Sequence, residues 1–290
     1  MKSSFILLLL LTTTLLNAKV PPELERIHYT SEDSSLVCQI LSQDSATSVA
    51  WVGRQFLGKV YVGQTLENEA NECLTVNLRE LDCMTFLETS VALAMTAQQL
   101  SKTQEKILGQ KAFYLFCKNL QENRYRNGIV TDYTSRLHYT TEWIQNNAQR
   151  GRVNDLCQEY CPQYTTCPNV GIMSNSPDRF IELKEHPEFI EPIRNIEEKV
   201  NQLTPAYLPK SELPPSGKEW IQTGDLIGLI TTQKGIDISH VGIAIYENGE
   251  LHLMHASLTQ KKVVIDSRPL CIQIAAPRYV GLRIWRIQQN

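Results

Sequence analysis

The spacing of apolar residues divides the chain into a helical part and a later strand-rich part. In the first part apolar positions recur every three to four residues, which is typical of helices with one buried face. The segments with this pattern are 45–56, 83–102, 111–126, 135–149 and, interrupted by Pro187 and Pro192, 178–203. We therefore predict a largely helical region at about 108–215, inserted between the helix that begins at Cys83 and the strands that follow.

The prolines at 205, 209, 214 and 215 mark a loop, after which short runs rich in β-branched residues predict strands. These runs are 226–231, 239–246, 251–257, 262–266 and 280–287. Helices first and strands later favour an α+β fold with an antiparallel sheet.

Asn248-Gly249 predicts a two-residue hairpin turn between two of these strands. The resulting register pairs Glu247 with Glu250 and continues through Tyr246–Leu251, Ala244–Leu253, Gly242–His255 and His240–Ser257. His240 and His255 then share a face as diagonal neighbours, about 7–8 Å apart at the backbone and within side-chain reach. Such a pair suits a catalytic base and the group that orients it, or two structural histidines.

Cys83 is the best candidate for a nucleophile that these histidines could serve. Asp82 precedes it as a natural N-cap, so Cys83 opens the strongest helical pattern in the chain. A helix N-terminus favours the thiolate, and its free N–H groups can hold an oxyanion. The alternative is that Cys83 is one more structural cysteine.

The composition fits a globular enzyme or a binding protein. Lys and Arg number 28 against 31 Asp and Glu, so there is no surplus of positive charge for a nucleic-acid partner. Residues 1–18 combine Lys2, an apolar run and a small residue at Ala18, which predicts a signal peptide and export to the periplasm or the medium. That run is too short for a stable membrane span, which needs about 20 residues. We expect one catalytic domain over 19–290.

Export would permit disulfides among the eight cysteines. The cluster Cys157, Cys161 and Cys167 lacks the paired spacing of a zinc site, and we expect one disulfide there plus a cysteine that reaches elsewhere. A metal hydrolase that used His240 and His255 would lack a clear third ligand. The sequence implies no cofactor.

Five short motifs in order resemble the NlpC-type superfamily of papain-like cysteine hydrolases, which cut bacterial cell-wall peptides. They are Gly58-Lys59-Val60-Tyr61-Val62-Gly63, Asp82-Cys83, Gly224-Asp225-Leu226, His240-Val241-Gly242-Ile243 and His255-Ala256-Ser257. In the first motif Val60 stands where the superfamily has proline, and one residue is missing before the last glycine. The resemblance implies a papain-like core in which the helix that carries the cysteine packs on an antiparallel sheet.

Three further segments resemble the N-acetylmuramoyl-L-alanine amidase-like branch of that superfamily. They are 77–86, 135–139 and 237–240. The resemblance implies cleavage of the amide that joins the lactyl group of N-acetylmuramic acid to L-alanine. It also implies small muropeptides as substrates, particularly the 1,6-anhydro forms.

The resemblance also assigns roles to residues of this chain. Cys83 is the nucleophile, His240 is the general base and His255 orients His240. The implied oxyanion and substrate contacts are Tyr61, Asp82, Arg136, His138 and Ser239. Asp82 is a helix cap first, because an amidase substrate offers it no free amine, and Arg136 and His138 could equally be plain surface of their helix.

Two other functions stay open at this point. A γ-D-glutamyl endopeptidase on the same scaffold would cut a different amide of the same wall fragments. A secreted, disulfide-containing binding protein without activity would require an inert Cys83.

Overall fold

The structure is a computed structural model that describes residues 27–67, 71–103 and 109–288. The predicted signal peptide at 1–18 lies outside the described residues. The α-helices of the described part are α1 (Ser31–Leu41), α2 (Val49–Arg54), α3 (Cys83–Ser101), α4 (Gln110–Arg124), α5 (Thr140–Gln149), α6 (Leu156–Tyr160), α7 (Ile172–Asn175), α8 (Ile181–Glu185), α9 (Ile190–Asn201) and α10 (Leu270–Gln273).

The strands of the same residues form a two-stranded pair and one large curled sheet. They are β1 (Ile27–His28), β2 (Val60–Tyr61), β3 (Leu74–Thr75), β4 (Glu80–Leu81), β5 (Val153–Asp155), β6 (Leu208–Pro209), β7 (Leu226–Thr231), β8 (Ile238–Glu247), β9 (Glu250–Ser257), β10 (Lys262–Ile265) and β11 (Tyr279–Ile287). The large sheet has the order β4-β2-β10-β9-β8-β7-β11-β5, with β6 also on β11. All of its pairs are antiparallel except β2 with β4, so the predicted α+β fold is confirmed.

Helix α3 packs on the middle of this sheet and is almost entirely buried along its length. Phe86 and Val91 belong to the same apolar cluster as Val241 and Ile243 of β8. Ala244 of β8 and Leu253 of β9 point to the opposite face of the sheet and belong to a second apolar cluster. Because β7, β8 and β9 are buried on both faces, their sequences are nearly continuous apolar runs.

The β8–β9 hairpin follows the predicted register only part of the way. The pairs from Glu247–Glu250 to Ile243–Met254 are formed as expected. Beyond Ile243 the two strands are no longer paired with each other, although β8 remains paired with β7 and β9 pairs His255 with Val264 of β10. The predicted pairs Gly242–His255 and His240–Ser257 are therefore wrong, although the two histidines still meet through their side chains.

Gly242 lies where these two strands begin to part, and it has no room for a side chain. A Cβ there would lie 2.7 Å from the Met254 carbonyl oxygen and 2.8 Å from Leu253 Cδ1. We expect Gly242→Ala to lower the free energy of unfolding by about 1–3 kcal/mol, the usual cost of overpacking. Gly63→Ala is the control, because no heavy atom lies within 4 Å of its Cβ position. Urea unfolding compares the two, and equal stabilities would contradict the prediction.

Two predicted helices begin later than expected. In the segment predicted at 135–149, the Asp132 carboxylate accepts from the Thr134 backbone N–H at 2.8 Å and folds 133–135 into a 3₁₀ turn. Helix α5 then starts at Thr140, where Asp237 accepts the Thr141 N–H at 2.7 Å. In the segment 45–56, Ser48 caps α2 and separates it from a preceding 3₁₀ turn.

The insertion between α3 and β7 is not purely helical. Its strands β5 and β6 both pair with β11, so the insertion supplies one edge of the main sheet. The paired residues lie 72–74 positions apart for β6 and 130–134 for β5, and runs of two or three residues carry no local signal of such pairing.

Within the described residues Cys157, Cys161 and Cys167 are free thiols, so the disulfide predicted in the cluster at 157–167 is not formed. Cys157 and Cys161 are instead one helical turn apart with their thiols hydrogen-bonded to each other. No helix among the described residues is long and apolar enough to cross a membrane. Those residues also contain no cluster of three or more His, Cys, Asp or Glu that could hold a metal ion.

Candidate active site

Cys83 begins α3 because Asp82 caps the helix. The Asp82 carboxylate accepts from the Thr85 backbone N–H and from the Thr85 hydroxyl, both at 2.8 Å, and the Asp82 N–H donates to Thr85 Oγ1 at 2.9 Å. Backbone N–H groups of three residues, Val241 of β8, Cys83 itself and Met84, lie close enough to the Cys83 sulfur to favour its charged form. The thiol therefore lies where the N-terminus of α3 meets the strand that carries His240.

Burial and the charge of Asp82 raise the pKa of the Cys83 thiol to about 12. The three N–H groups oppose this rise but do not outweigh it. The N–H groups at the start of α3 favour a thiolate, as expected, but burial has the larger effect on the thiol. Removing a charge from water costs more than a few partial charges return.

His240 and His255 form a hydrogen-bonded pair. His240 Nε2 lies 2.6 Å from His255 Nδ1, and the two rings stand nearly perpendicular with centroids 4.7 Å apart. Burial, helped by His255, lowers the pKa of His240 to about 3. Burial also lowers the pKa of His255 to about 4. At neutral pH the site therefore holds a neutral thiol and two neutral imidazoles.

A β-bulge lies directly beside His240. The β7–β8 register passes from Leu229–His240 to Ile230–Ile238, so Ser239 is the extra residue. The Ser239 side chain is exposed, and its hydroxyl donates to the Leu229 carbonyl at 3.4 Å. Because bulges re-aim neighbouring side chains, Ser239 fits a role in turning His240 toward His255.

Tyr61 lies near Cys83. Strand β2 pairs Tyr61 with Leu81, the residue before Asp82. Burial, with contributions from Cys83 and Asp82, raises the pKa of Tyr61 to about 12. Its hydroxyl therefore stays protonated at neutral pH and can donate a hydrogen bond beside the nucleophile.

Arg136 and His138 are tied into the protein. The Arg136 guanidinium is buried and binds Glu72 at 2.7 Å, Glu67 at 3.2 Å and the Leu66 carbonyl at 2.9 Å. His138 Nε2 lies 2.8 Å from the Tyr133 carbonyl, and burial, helped by Arg136, lowers its pKa to about 3. Direct contact of either side chain with substrate stays a prediction.

The ion pairs of Arg136 include Glu67, a carboxylate near the site that sequence reasoning missed. Burial, with a contribution from the nearby Asp82, raises the pKa of Glu67, which Arg136 holds in place. Its second oxygen, Oε2, is buried and has no hydrogen-bond partner in the structure. No motif marks Glu67, since its partner Arg136 lies 69 residues further along the chain.

The neutral resting state has a measurable consequence. We expect the rate of alkylation of Cys83 by iodoacetamide to rise about tenfold per pH unit through the neutral range, because the reactive thiolate is a minor species well below its pKa. A thiolate–imidazolium pair would instead react at a rate nearly independent of pH. Mass spectrometry of the peptide that contains Cys83 measures the rate, and a flat profile would contradict the neutral pair.

A thiol at a helix N-terminus, next to the strand that carries one of two hydrogen-bonded histidines, suits a hydrolase of amide bonds. The sequence model of the N-acetylmuramoyl-L-alanine amidase-like family matches residues 51–277. The chain therefore belongs to that family.

Solved structures agree with this assignment. A protein from Bacteroides uniformis described as an N-acetylmuramoyl-L-alanine amidase has a TM-score of 0.77 at 34% identity, over 85% of this chain and 100% of its own. A protein from Bacteroides fragilis described as a candidate xylanase has a TM-score of 0.75 at 37% identity, over 81% and 99%. A Legionella pneumophila protein at 22% identity, with a TM-score of 0.62 over 88% and 94%, shares the fold. A search of functionally curated proteins found no significant match.

Proposed function

We propose that this chain is a cysteine-dependent amidase of cell-wall muropeptides. It hydrolyses the amide between the lactyl carboxyl group of N-acetylmuramic acid, preferably in its 1,6-anhydro form, and L-alanine. Cys83 is the nucleophile, His240 the general base and His255 the residue that orients it. Family membership and the similar amidase from Bacteroides uniformis support the bond and the substrate class.

The observation that carries the proposal is the convergence of α3, β8 and β9. The backbone N–H of Val241, the residue after His240, lies close to the Cys83 sulfur, and His240 Nε2 lies 2.6 Å from His255 Nδ1. A nucleophile, a base next to it and a third group on the base form the arrangement that acyl transfer needs.

In the first half of the reaction, Cys83 gives its proton to His240 Nδ1 as the sulfur attacks the lactyl carbonyl carbon. This requires the tautomer in which His240 Nε2 carries hydrogen and donates to His255 Nδ1. The tetrahedral oxyanion accepts N–H groups from the first turn of α3 and the Tyr61 hydroxyl. The C–N bond then breaks, and His240 returns the proton to the leaving amine of L-alanine.

In the second half, water attacks the lactyl thioester and gives a proton to His240. The C–S bond breaks, the sugar leaves with a free carboxyl group, and the proton returns to the Cys83 sulfur. A neutral Cys83 thiol and a neutral His240 at rest fit this cycle, because a proton is transferred to His240 in each attack.

The position of Asp82 fits the amidase as well as it fits the γ-D-glutamyl endopeptidase. An endopeptidase that binds a free L-alanine amine needs a carboxylate directed at the substrate. Here an Asp82 oxygen is bound to Thr85, as the cap of α3. The helix cap accounts for Asp82 without a substrate amine.

Two further parts of the proposal rest on the sequence. The resemblance of the motifs extends to the papain-like NlpC-type core, with α3 as its cysteine helix. The amino-terminal segment supports export, which would place the enzyme in the periplasm or outside the cell, where wall fragments occur.

Mass spectrometry of purified anhydro-muropeptides incubated with the protein tests the proposal. Release of a free peptide that begins at L-alanine is the expected result. A sugar-linked L-Ala-D-Glu fragment would instead assign the endopeptidase. Unchanged muropeptides would remove the proposed substrate and leave an inactive binding protein as the better explanation.

A further inference from the structure

The far side of His255 has no hydrogen-bond partner. Its Nδ1 faces His240, while its Nε2 is buried and unpaired. In the tautomer that the reaction needs, His255 Nδ1 accepts a hydrogen bond, so Nε2 carries the hydrogen and is an unpaired buried donor. Such a donor is costly, and the charges around it decide how readily the ring accepts positive charge.

Asp266 is placed by the sheet next to this ring. Strand β10 pairs Val264 with His255, and the ladder continues to Asp266, whose N–H donates to the Leu253 carbonyl at 2.9 Å. Asp266 therefore lies opposite Leu253, on the same sheet face as His255 and diagonal to it. Diagonal neighbours are about 7–8 Å apart at the backbone and within side-chain reach. The residue is only 6% exposed.

Arg268 holds the Asp266 carboxylate in place from the solvent side. Its Nη2 donates to Oδ2 at 3.1 Å, and its backbone N–H and Nε donate to Oδ1 at 3.0 and 3.3 Å. The Arg268 side chain is 63% exposed, in contrast to the buried carboxylate. The ion pair is thus one buried negative charge beside His255 and one positive charge at the surface.

Three charged or titratable side chains face His255. They are His240 from β8 and the pair Asp266 and Arg268 beyond β10. Burial is the main reason that the pKa of His255 is low; Asp266 acts against this lowering, and Arg268 adds to it. The two members of the ion pair therefore act on the histidine with opposite signs.

We propose that Asp266 is a positioning residue of the amidase reaction that acts through His255. Its carboxylate stabilises the tautomer of His255 in which Nε2 carries the hydrogen. It also stabilises the positive charge that the histidine pair receives when Cys83 gives up its proton. Arg268 limits this effect and fixes the carboxylate. The inference rests on the proposed function, because it assigns His255 the role of orienting the base.

Asp266→Asn and Arg268→Gln test the proposal, since they change one charge each on opposite sides of the same ion pair. NMR titration of the ring protons gives the pKa values of the histidine pair without any need for activity. We expect Asp266→Asn to lower those values and Arg268→Gln to raise them. On a muropeptide, Asp266→Asn is expected to reduce kcat by up to about tenfold with KM nearly unchanged, and to move the acid limb of the pH profile to lower pH.

Asp266→Glu should recover most of kcat, because the charge is kept. If Asp266→Asn does not fold, Arg268→Gln at the exposed position still tests the sign of the effect. Shifts of equal sign in both variants, or no shift in Arg268→Gln, would overturn the proposal. Failure of the proposed function would look different: the wild type would not cleave muropeptides, while the titration shifts would still be measurable.

Discussion

Cys83→Ala is expected to reduce turnover of anhydro-muropeptides by about 10⁴- to 10⁶-fold, since the thioester cannot form without the sulfur. The fold should remain intact, because the start of α3 depends on the cap between Asp82 and Thr85 and not on the thiol. Product mass after prolonged incubation is the measurement, together with the thermal unfolding temperature of the variant.

A second cysteine provides the matched control. Cys167 is exposed and lies far along the chain from α3, so Cys167→Ala should retain wild-type turnover. Cys83→Ser keeps a nucleophilic atom of similar size, but a hydroxyl is far less acidic than a thiol, and this variant should be nearly as inactive. Substantial turnover by Cys83→Ala would exclude the cysteine mechanism and leave the family assignment in place.

The parts of this site that the sequence predicted are those with a local signal. The Asp82 cap and the apolar periodicity after it predicted the first residue of α3, and the Asn248-Gly249 turn predicted the β8–β9 register near the loop. Both signals act over a few residues, where propensity and hydrogen bonding decide the structure.

The remaining features depend on partners far apart in the chain. The β8–β9 pairing ends at Ile243, and the register of β8 against β7 shifts at a bulge at Ser239. Arg136 is fixed by glutamates 64 and 69 residues away. No periodicity in the sequence reports such contacts.

The charge state of the nucleophile illustrates the same limit. From the sequence, the helix N-terminus favours a thiolate, and nearby backbone N–H groups do lower the pKa of the Cys83 thiol. The depth of burial is set by the tertiary fold, and it acts in the other direction with greater effect. The sign of a pKa shift therefore could not be read from the position of Cys83 in its helix.

Because the Cys83 thiol and the His240 imidazole are both neutral at rest, the reaction depends on His240 to accept the thiol proton in every cycle. His240→Ala is therefore expected to lower kcat by about 10²- to 10⁴-fold. Since Cys83 and His240 act as one unit, the double variant Cys83→Ala with His240→Ala should be no slower than Cys83→Ala alone. Steady-state kinetics on a purified muropeptide compares the three.

Two observations separate loss of the base from loss of structure. Added imidazole should restore part of the activity of His240→Ala, because a small base can occupy the space that the side chain leaves, and it should not rescue Cys83→Ala. His186→Ala removes a histidine that is exposed and paired with Glu188, so it should keep wild-type kinetics. If His240→Ala retained more than about a tenth of the wild-type kcat, another group would have to accept the Cys83 proton, since a general base contributes at least about 10²-fold.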